Sequence, residues 1–311
     1  MRHRIFPAAL AVFIAAALLG SAPAAGQADL QGYWSTATLT PLERPAELAN
    51  KAFFTEAEAA AYEKQLLQTT NRDRRDGNSE VDVGRAYNEF WFSRGDHIVP
   101  TLRTSLVIDP PDGRIPALTP EARTRQTETR SYTAQHPADG PESRSLAERC
   151  ILWPTAGPPM LPGGYNNNYQ ILQGPGYVVI VVEMIHDACI IPLDGRPHLP
   201  SSVRQWMGDS RGHWEGTTLV VETTNFSDRT NFRGATANMK LVERFTRSNA
   251  GTILYEFTVN DPAAFTKPWT AQIPMRKMEE PILEYACHEG NYGMEGILAG
   301  ARAEAKKLGS K

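Results

Sequence analysis

The chain holds only three cysteines, Cys150, Cys189 and Cys287, and no pair of them has the spacing of a zinc site or a Cys-x-x-Cys redox motif. It has no Gly-x-Ser-x-Gly elbow, no phosphate-binding P-loop and no dinucleotide fingerprint, which argues against a nucleotide cofactor. Basic residues never cluster beyond Asn71-Arg72-Asp73-Arg74-Arg75, and the formal charge is −3. That mild acidity argues against nucleic acid and against an anionic membrane surface as partners. Past the N-terminus no run approaches the roughly 18 apolar residues of a membrane span.

The N-terminus supplies what the rest lacks. Arg2, His3 and Arg4 form a positive n-region, and Ile5 to Leu19 is an apolar stretch of about 15 residues. Ala22-Pro23-Ala24 then offers small residues for cleavage, with Gly26-Gln27-Ala28 as a second choice. This predicts a secretory signal over 1–24 and a mature chain that works in the periplasm or is secreted, with no membrane contact after cleavage. Loss of Arg2 and Arg4 moves the formal charge to about −5. Export permits a disulfide. Cys189 lies in the apolar run ACIIPL and reads as a small buried hydrophobe, so the expected bond is Cys150–Cys287.

The remaining residues, 25–311, read as a single domain. Thr55 with Glu58 three residues on is a capping box, which predicts a helix to about Thr69. Tyr87–Phe92 and Ser105–Ile108 read as short strands. Thr119-Pro120-Glu121 opens a short helix with Pro at its first position. Arg123 to Ser145 is poor in apolar residues and reads as a mobile surface excursion, around 120–148. From Tyr169 the strand signals follow closely: YQILQ, YVVIVVEM, CIIPL, VRQWM, TLVVETTNF, KLVERFTR, TILYEFTV, WTAQIPM and ILEYACH. Short connections rich in Gly, Asn, Asp and Pro separate them. Short-linked consecutive strands pair antiparallel, so the expected fold is mainly β: an up-and-down barrel with an N-terminal helical segment and a C-terminal helix over MEGILAGARAEAKKL.

Gly32-Tyr33-Trp34, ahead of this meander, resembles the Gly-x-Trp opening of lipocalins and the wider calycin group. The chain is also similar to a family of uncharacterised exported bacterial proteins. The segments that carry the likeness are SLVIDPPDGRIPALTPEA, YNNNYQI, IPLDGRPHLP, WEGTTLVVETTNF and EYACHEGN, within roughly Leu30 to Arg302. The resemblance implies a calycin-like barrel and brings no established activity. It implies Arg at the position of Cys189, which agrees with an unpaired Cys189.

Ionisable groups crowd the strand ends, and three of the seven histidines fall between His186 and His213. Glu183 ends an apolar strand and His186 follows across a turn; a desolvated carboxyl beside an imidazole makes an acid–base pair. The structural alternative is a Glu capped by backbone donors. In IPLDGRPH, Asp194-Gly195 makes a turn that presents Arg196 and His198, a fork for an anion and a proton carrier; the alternative is a salt-bridged hairpin. His213-Trp214-Glu215, between two glycines, reads first as a turn. Tyr165, Asn167, Tyr169, Trp206 and Trp214 are candidate substrate contacts, suited to an aromatic or polyhydroxylated ligand. The leading expectation is an exported enzyme using Glu183, His186, Asp194, Arg196 and His198 for elimination, isomerisation or hydrolysis without a cofactor. A metal held by His186, His198 and a carboxylate is a lesser alternative. The other reading is a periplasmic small-molecule binding or carrier protein without turnover. It predicts an apolar pocket whose only polar groups are paired with one another, whereas an enzyme predicts unpaired Glu and His aimed into the cavity; a purely structural protein predicts a filled barrel with no pocket.

Overall fold

In the segment TILYEFTVN every second side chain, Ile253, Tyr255, Phe257 and Val259, is fully buried, while the residues between them are not. This period of two places one face of the strand in an apolar core. The same alternation runs through most of the strands in the computed structural model, which describes residues 27–309 apart from 86 and 231. The expected signal segment 1–24 lies outside the described residues. The strands are β1 (Gly32–Ser35), β2 (Val107–Asp109), β3 (Asn168–Gly174), β4 (Tyr177–Val182), β5 (Ala188–Pro192), β6 (Asp209–Glu215), β7 (Thr218–Thr224), β8 (Lys240–Asn249), β9 (Thr252–Asn260) and β10 (Trp269–Met278). The helices are α1 (Glu56–Thr70), α2 (Ser79–Gly84), α3 (Pro120–Gln135) and α4 (Tyr292–Gly309).

Nine strands form a nearly closed antiparallel barrel in the order β5-β4-β3-β1-β10-β9-β8-β7-β6, and β2 pairs with the first part of β10. An odd number of strands cannot alternate all the way round. The registers show that β5 and β6, at the two ends of the order, run in the same direction. No ladder joins them among the described residues. Side chains close the seam instead: Cys189 Sγ lies 3.4 Å from Ser210 Oγ. Gly212 is packed so tightly that a Cβ there would sit 2.7 Å from Ile191 and Leu193. The connection from Leu193 to Gly208, which carries the LDGRPH part of IPLDGRPH, must therefore return to start β6 at the opposite end.

Both barrel ends are plugged. Leu30 and Trp34 are fully buried at the end near the β8–β9 hairpin, where Trp34 Nε1 donates to the Leu30 carbonyl at 2.9 Å. At the other end the segment Thr155–Leu161 enters the core with Ala156, Met160 and Leu161 buried. It is held there by Tyr255, whose hydroxyl accepts from Met160 N at 2.9 Å, and by Tyr169, whose hydroxyl donates to the Thr155 carbonyl at 3.3 Å.

Several sequence expectations are met. The helix at Thr55 carries its capping box: Thr55 Oγ1 accepts from Glu58 N at 3.3 Å, and Glu58 accepts from Thr55 N at 2.8 Å. The C-terminal helix is present, and Cys150 and Cys287 are bonded with Cα atoms 5.8 Å apart. Others need correction. VRQWM is not a strand; the strand is the next segment, DSRGHWE, which resembles a turn because its central Gly212 is required by the seam. Tyr87–Phe92 contains a helical turn, not a strand. ILEYACH has no ladder partner and is pinned by side chains and the disulfide. The excursion after Thr119 opens with a 16-residue helix, α3, whose Thr119 cap accepts from Ala122 N at 3.1 Å.

Cys189 is the free cysteine. Burial pushes its thiol up to about 12, so almost no reactive thiolate exists near neutral pH. The native protein is expected to take up less than about a tenth of an equivalent of iodoacetamide at pH 8, and one equivalent once unfolded in denaturant. Mass mapping reads both values, and rapid labelling of the native protein would contradict this burial.

Candidate functional site

At the end closed by Thr155–Leu161, the chain packs three pieces around a hollow. These are the second half of α3, the segment 142–161, and the loop 229–233 that follows β7. The cavity between them has a volume of about 910 Å³. A smaller one of about 310 Å³ adjoins it and shares Thr155, Leu161 and Arg233 as lining. The larger wall is part apolar, with Leu146, Leu152, Trp153, Pro158, Pro159 and Phe232, and part cationic, with Arg144, Arg149, Arg229 and Arg233. Glu142 is the one carboxylate on it.

Local structure fixes this wall. Phe232 stacks on the buried Trp269, with ring centroids 6.2 Å apart. Trp153 lies 6.1 Å from Tyr165, part of a surface cluster of rings that includes Tyr87 and Phe92. Glu148 caps the turn that starts at Ser145, accepting from Ser145 N at 3.0 Å and Ser145 Oγ at 2.9 Å, and it pairs with Arg144. Its carboxylate is thereby committed, and the next residue, Arg149, is left without an acidic partner. Arg233 sits at a φ of +54°, a left-handed conformation unusual for a non-glycine residue.

The sequence-predicted site residues lie elsewhere, and none of them lines either cavity. Glu183 is buried and accepts from Leu283 N at 3.0 Å and Asn168 Nδ2 at 2.7 Å. His186 Nδ1 donates to the Tyr285 carbonyl at 2.8 Å. The two share a tight turn, joined by His186 N to the Glu183 carbonyl at 3.2 Å, and together they fasten the segment before Cys287 to the barrel. Asp194 and Arg196 pair with each other in solvent on the returning loop. His198 Nδ1 is 2.9 Å from Asp209, a buried carboxylate that also accepts from Leu199 N and pairs with Arg211 at 2.8 Å. His213 and Glu215 are exposed on β6 and pair with each other, and Glu215 also pairs with Arg244. Asn167 uses its whole amide on Gly163 and Ser93. Tyr169 is inside the barrel, Trp206 holds Thr230 through its carbonyl, and Trp214 packs against the core at the seam strand. Among the described residues no group of three or more His, Cys, Asp or Glu has a metal-holding arrangement.

Sequence reasoning also missed a buried acid. Glu243 points into the barrel between Leu241 and Phe245, and its carboxyl accepts from Tyr255 Oη at 2.7 Å. Burial pushes it up to about 7. A Glu in the alternating strand KLVERFTR, on the same face as Leu and Phe, was the available signal. For the cavity the signal was weaker: Arg149 beside Cys150, and Arg229 and Arg233 bracketing Phe232 in a loop.

Compared with protein-family models, with curated proteins and with solved structures, the chain matches none. What it does is therefore read from the geometry of the cavity itself.

Proposed function

We propose that the protein is an exported binding or carrier protein that holds a small organic molecule in the 910 Å³ cavity at the plugged end of its barrel. The cavity carries this reading: its size lies within the roughly 300–1,000 Å³ of small-molecule sites, and it combines an apolar wall with a few polar groups. Among the described residues, no His and none of the acid–base candidates lines the cavity, which favours binding over turnover; the wall departs from the expected fully paired one in its three unpaired arginines. We read the barrel as calycin-like. Trp34 of Gly32-Tyr33-Trp34 supports this, buried at one end with the Arg247 guanidinium 5.1 Å from its ring. The disulfide fits an oxidising compartment, and among the described residues no helix is long and apolar enough to cross a membrane.

The test is to incubate the purified protein with small-molecule extracts, wash it and identify what stays bound by mass spectrometry. Wild type is expected to retain a discrete compound that two cavity-filling variants, Ala147→Trp and Thr133→Trp, lose while keeping their circular dichroism. Wild type retaining nothing, or both variants retaining the same compound, would sink the proposal.

A second reading, acid–base catalysis, is favoured by one observation. His198 keeps 26 % of its side chain exposed while buried Asp209 holds its Nδ1, the way a carboxylate orients a general base. The same extracts distinguish it: conversion by wild type and not by His198→Ala supports turnover, and conversion by neither rejects it.

A further inference from the structure

The cavity wall has an excess of positive charge that nothing in the fold consumes. Arg144 is paired with Glu148. Arg149, Arg229 and Arg233 have no side-chain hydrogen bond or ion pair among the described residues, and Glu142 on the same wall pairs with none of them. All three line the same cavity, Arg149 part-buried and Arg229 and Arg233 open to solvent, so their guanidiniums remain available to a ligand entering it. The protein as a whole is acidic, at −3, so this is a local positive field facing a concave surface that focuses it. Thr129 and Thr133, one turn apart on α3, add hydroxyls to the wall that make no hydrogen bond within the protein. The same cavity is lined by Trp153 and Phe232, rings held by their own contacts with Tyr165 and Trp269.

From this arrangement we infer that the ligand is an organic anion: a carboxylate, sulfonate or phosphate head held by Arg149, Arg229 and Arg233, attached to an apolar or aromatic body that lies against Trp153 and Phe232. The inference rests on the binding reading above and narrows it to one chemical class. A guanidinium fork matches the oxygens of such a head in a bidentate manner, which a lysine does not. The apolar body accounts for the rest of the wall, which inorganic phosphate alone would leave uncovered.

A matched pair of dyes tests it. Anilinonaphthalene sulfonate carries the anionic group, and phenylnaphthylamine is the same skeleton without it. With the native protein the sulfonate is expected to bind at least about tenfold more tightly than the neutral dye, with an affinity that falls as salt is raised. The triple variant Arg149→Gln/Arg229→Gln/Arg233→Gln is expected to lose that tenfold for the sulfonate and to leave the neutral dye unchanged. Arg125→Gln, a substitution on α3 outside the cavity wall, controls for general loss of charge. Equal affinity for the two dyes, with no effect of the triple variant, overturns the anion inference and leaves the binding reading standing, provided Ala147→Trp displaces both. If Ala147→Trp and Thr133→Trp displace neither dye, the dyes lie elsewhere and the binding reading fails with it.

Discussion

Replacing Cys150 and Cys287 together by serine is expected to lower the unfolding free energy by about 4–5 kcal/mol. The bond spans 137 residues, one of the longest loops the chain offers, and chain entropy makes long closures the most stabilising. Its Cα separation of 5.8 Å lies within the usual range. The bond also joins two stretches with little secondary structure of their own. Cys150 leads into Leu152–Leu161, the buried plug and cavity floor, and Cys287 ends the irregular segment that Glu183 and His186 pin before α4. Without it each is held by side chains alone. Denaturant titration of the double variant reads the loss, and hydrogen exchange is expected to rise first in residues 282–309. A change under about 1 kcal/mol would show that Glu183, His186 and the plug contacts hold both stretches without the bond.

The second large effect is expected at Glu243. Its carboxyl is pushed up by burial from 4.5 to about 7, against a smaller downward pull from the Tyr255 hydroxyl. Between those two values the folded protein holds a proton that the unfolded chain has released. Stability therefore falls as pH rises from about 4.5 to about 7 and stays low above that. The full loss is about 3 kcal/mol. Glu243→Gln keeps an oxygen to accept from Tyr255 and cannot ionise. It is expected to be more stable than wild type by about 3 kcal/mol at pH 8 and equal to it near pH 4.5. Thermal melts at both pH values check this. A variant less stable than wild type at pH 8 would mean that the ionised carboxylate is preferred inside the barrel.

Much of the fold could be read from local pattern. The strand periods of TILYEFTVN and KLVERFTR, the capping box at Thr55 and the elimination of Cys189 from the disulfide each depend on residues near one another, and all four appear in the structure. The misread parts depend on tertiary context. DSRGHWE becomes a strand because the odd strand count brings β5 beside β6 and Gly212 lets them approach. IPLDGRPHLP looks like a presented catalytic loop because a chain that must return to the opposite end of the barrel needs prolines, a turn and paired charges. Ionisable residues concentrated at strand ends also serve to anchor: Glu183 and His186 do so for Leu283 and Tyr285. The cavity is built from three pieces far apart in sequence, α3, 142–161 and 229–233, so no single stretch announces it. The arginines stand out only once the structure shows that Glu148 is committed elsewhere.

The most direct measurement is a crystal structure of the protein grown with anilinonaphthalene sulfonate. The expected result is the dye in the large cavity, its rings against Trp153 and Phe232 and its sulfonate within about 3 Å of guanidinium nitrogens of Arg149, Arg229 or Arg233. Dye found only on the exposed rings of Phe90 and Trp91, with the cavity unoccupied, would contradict it.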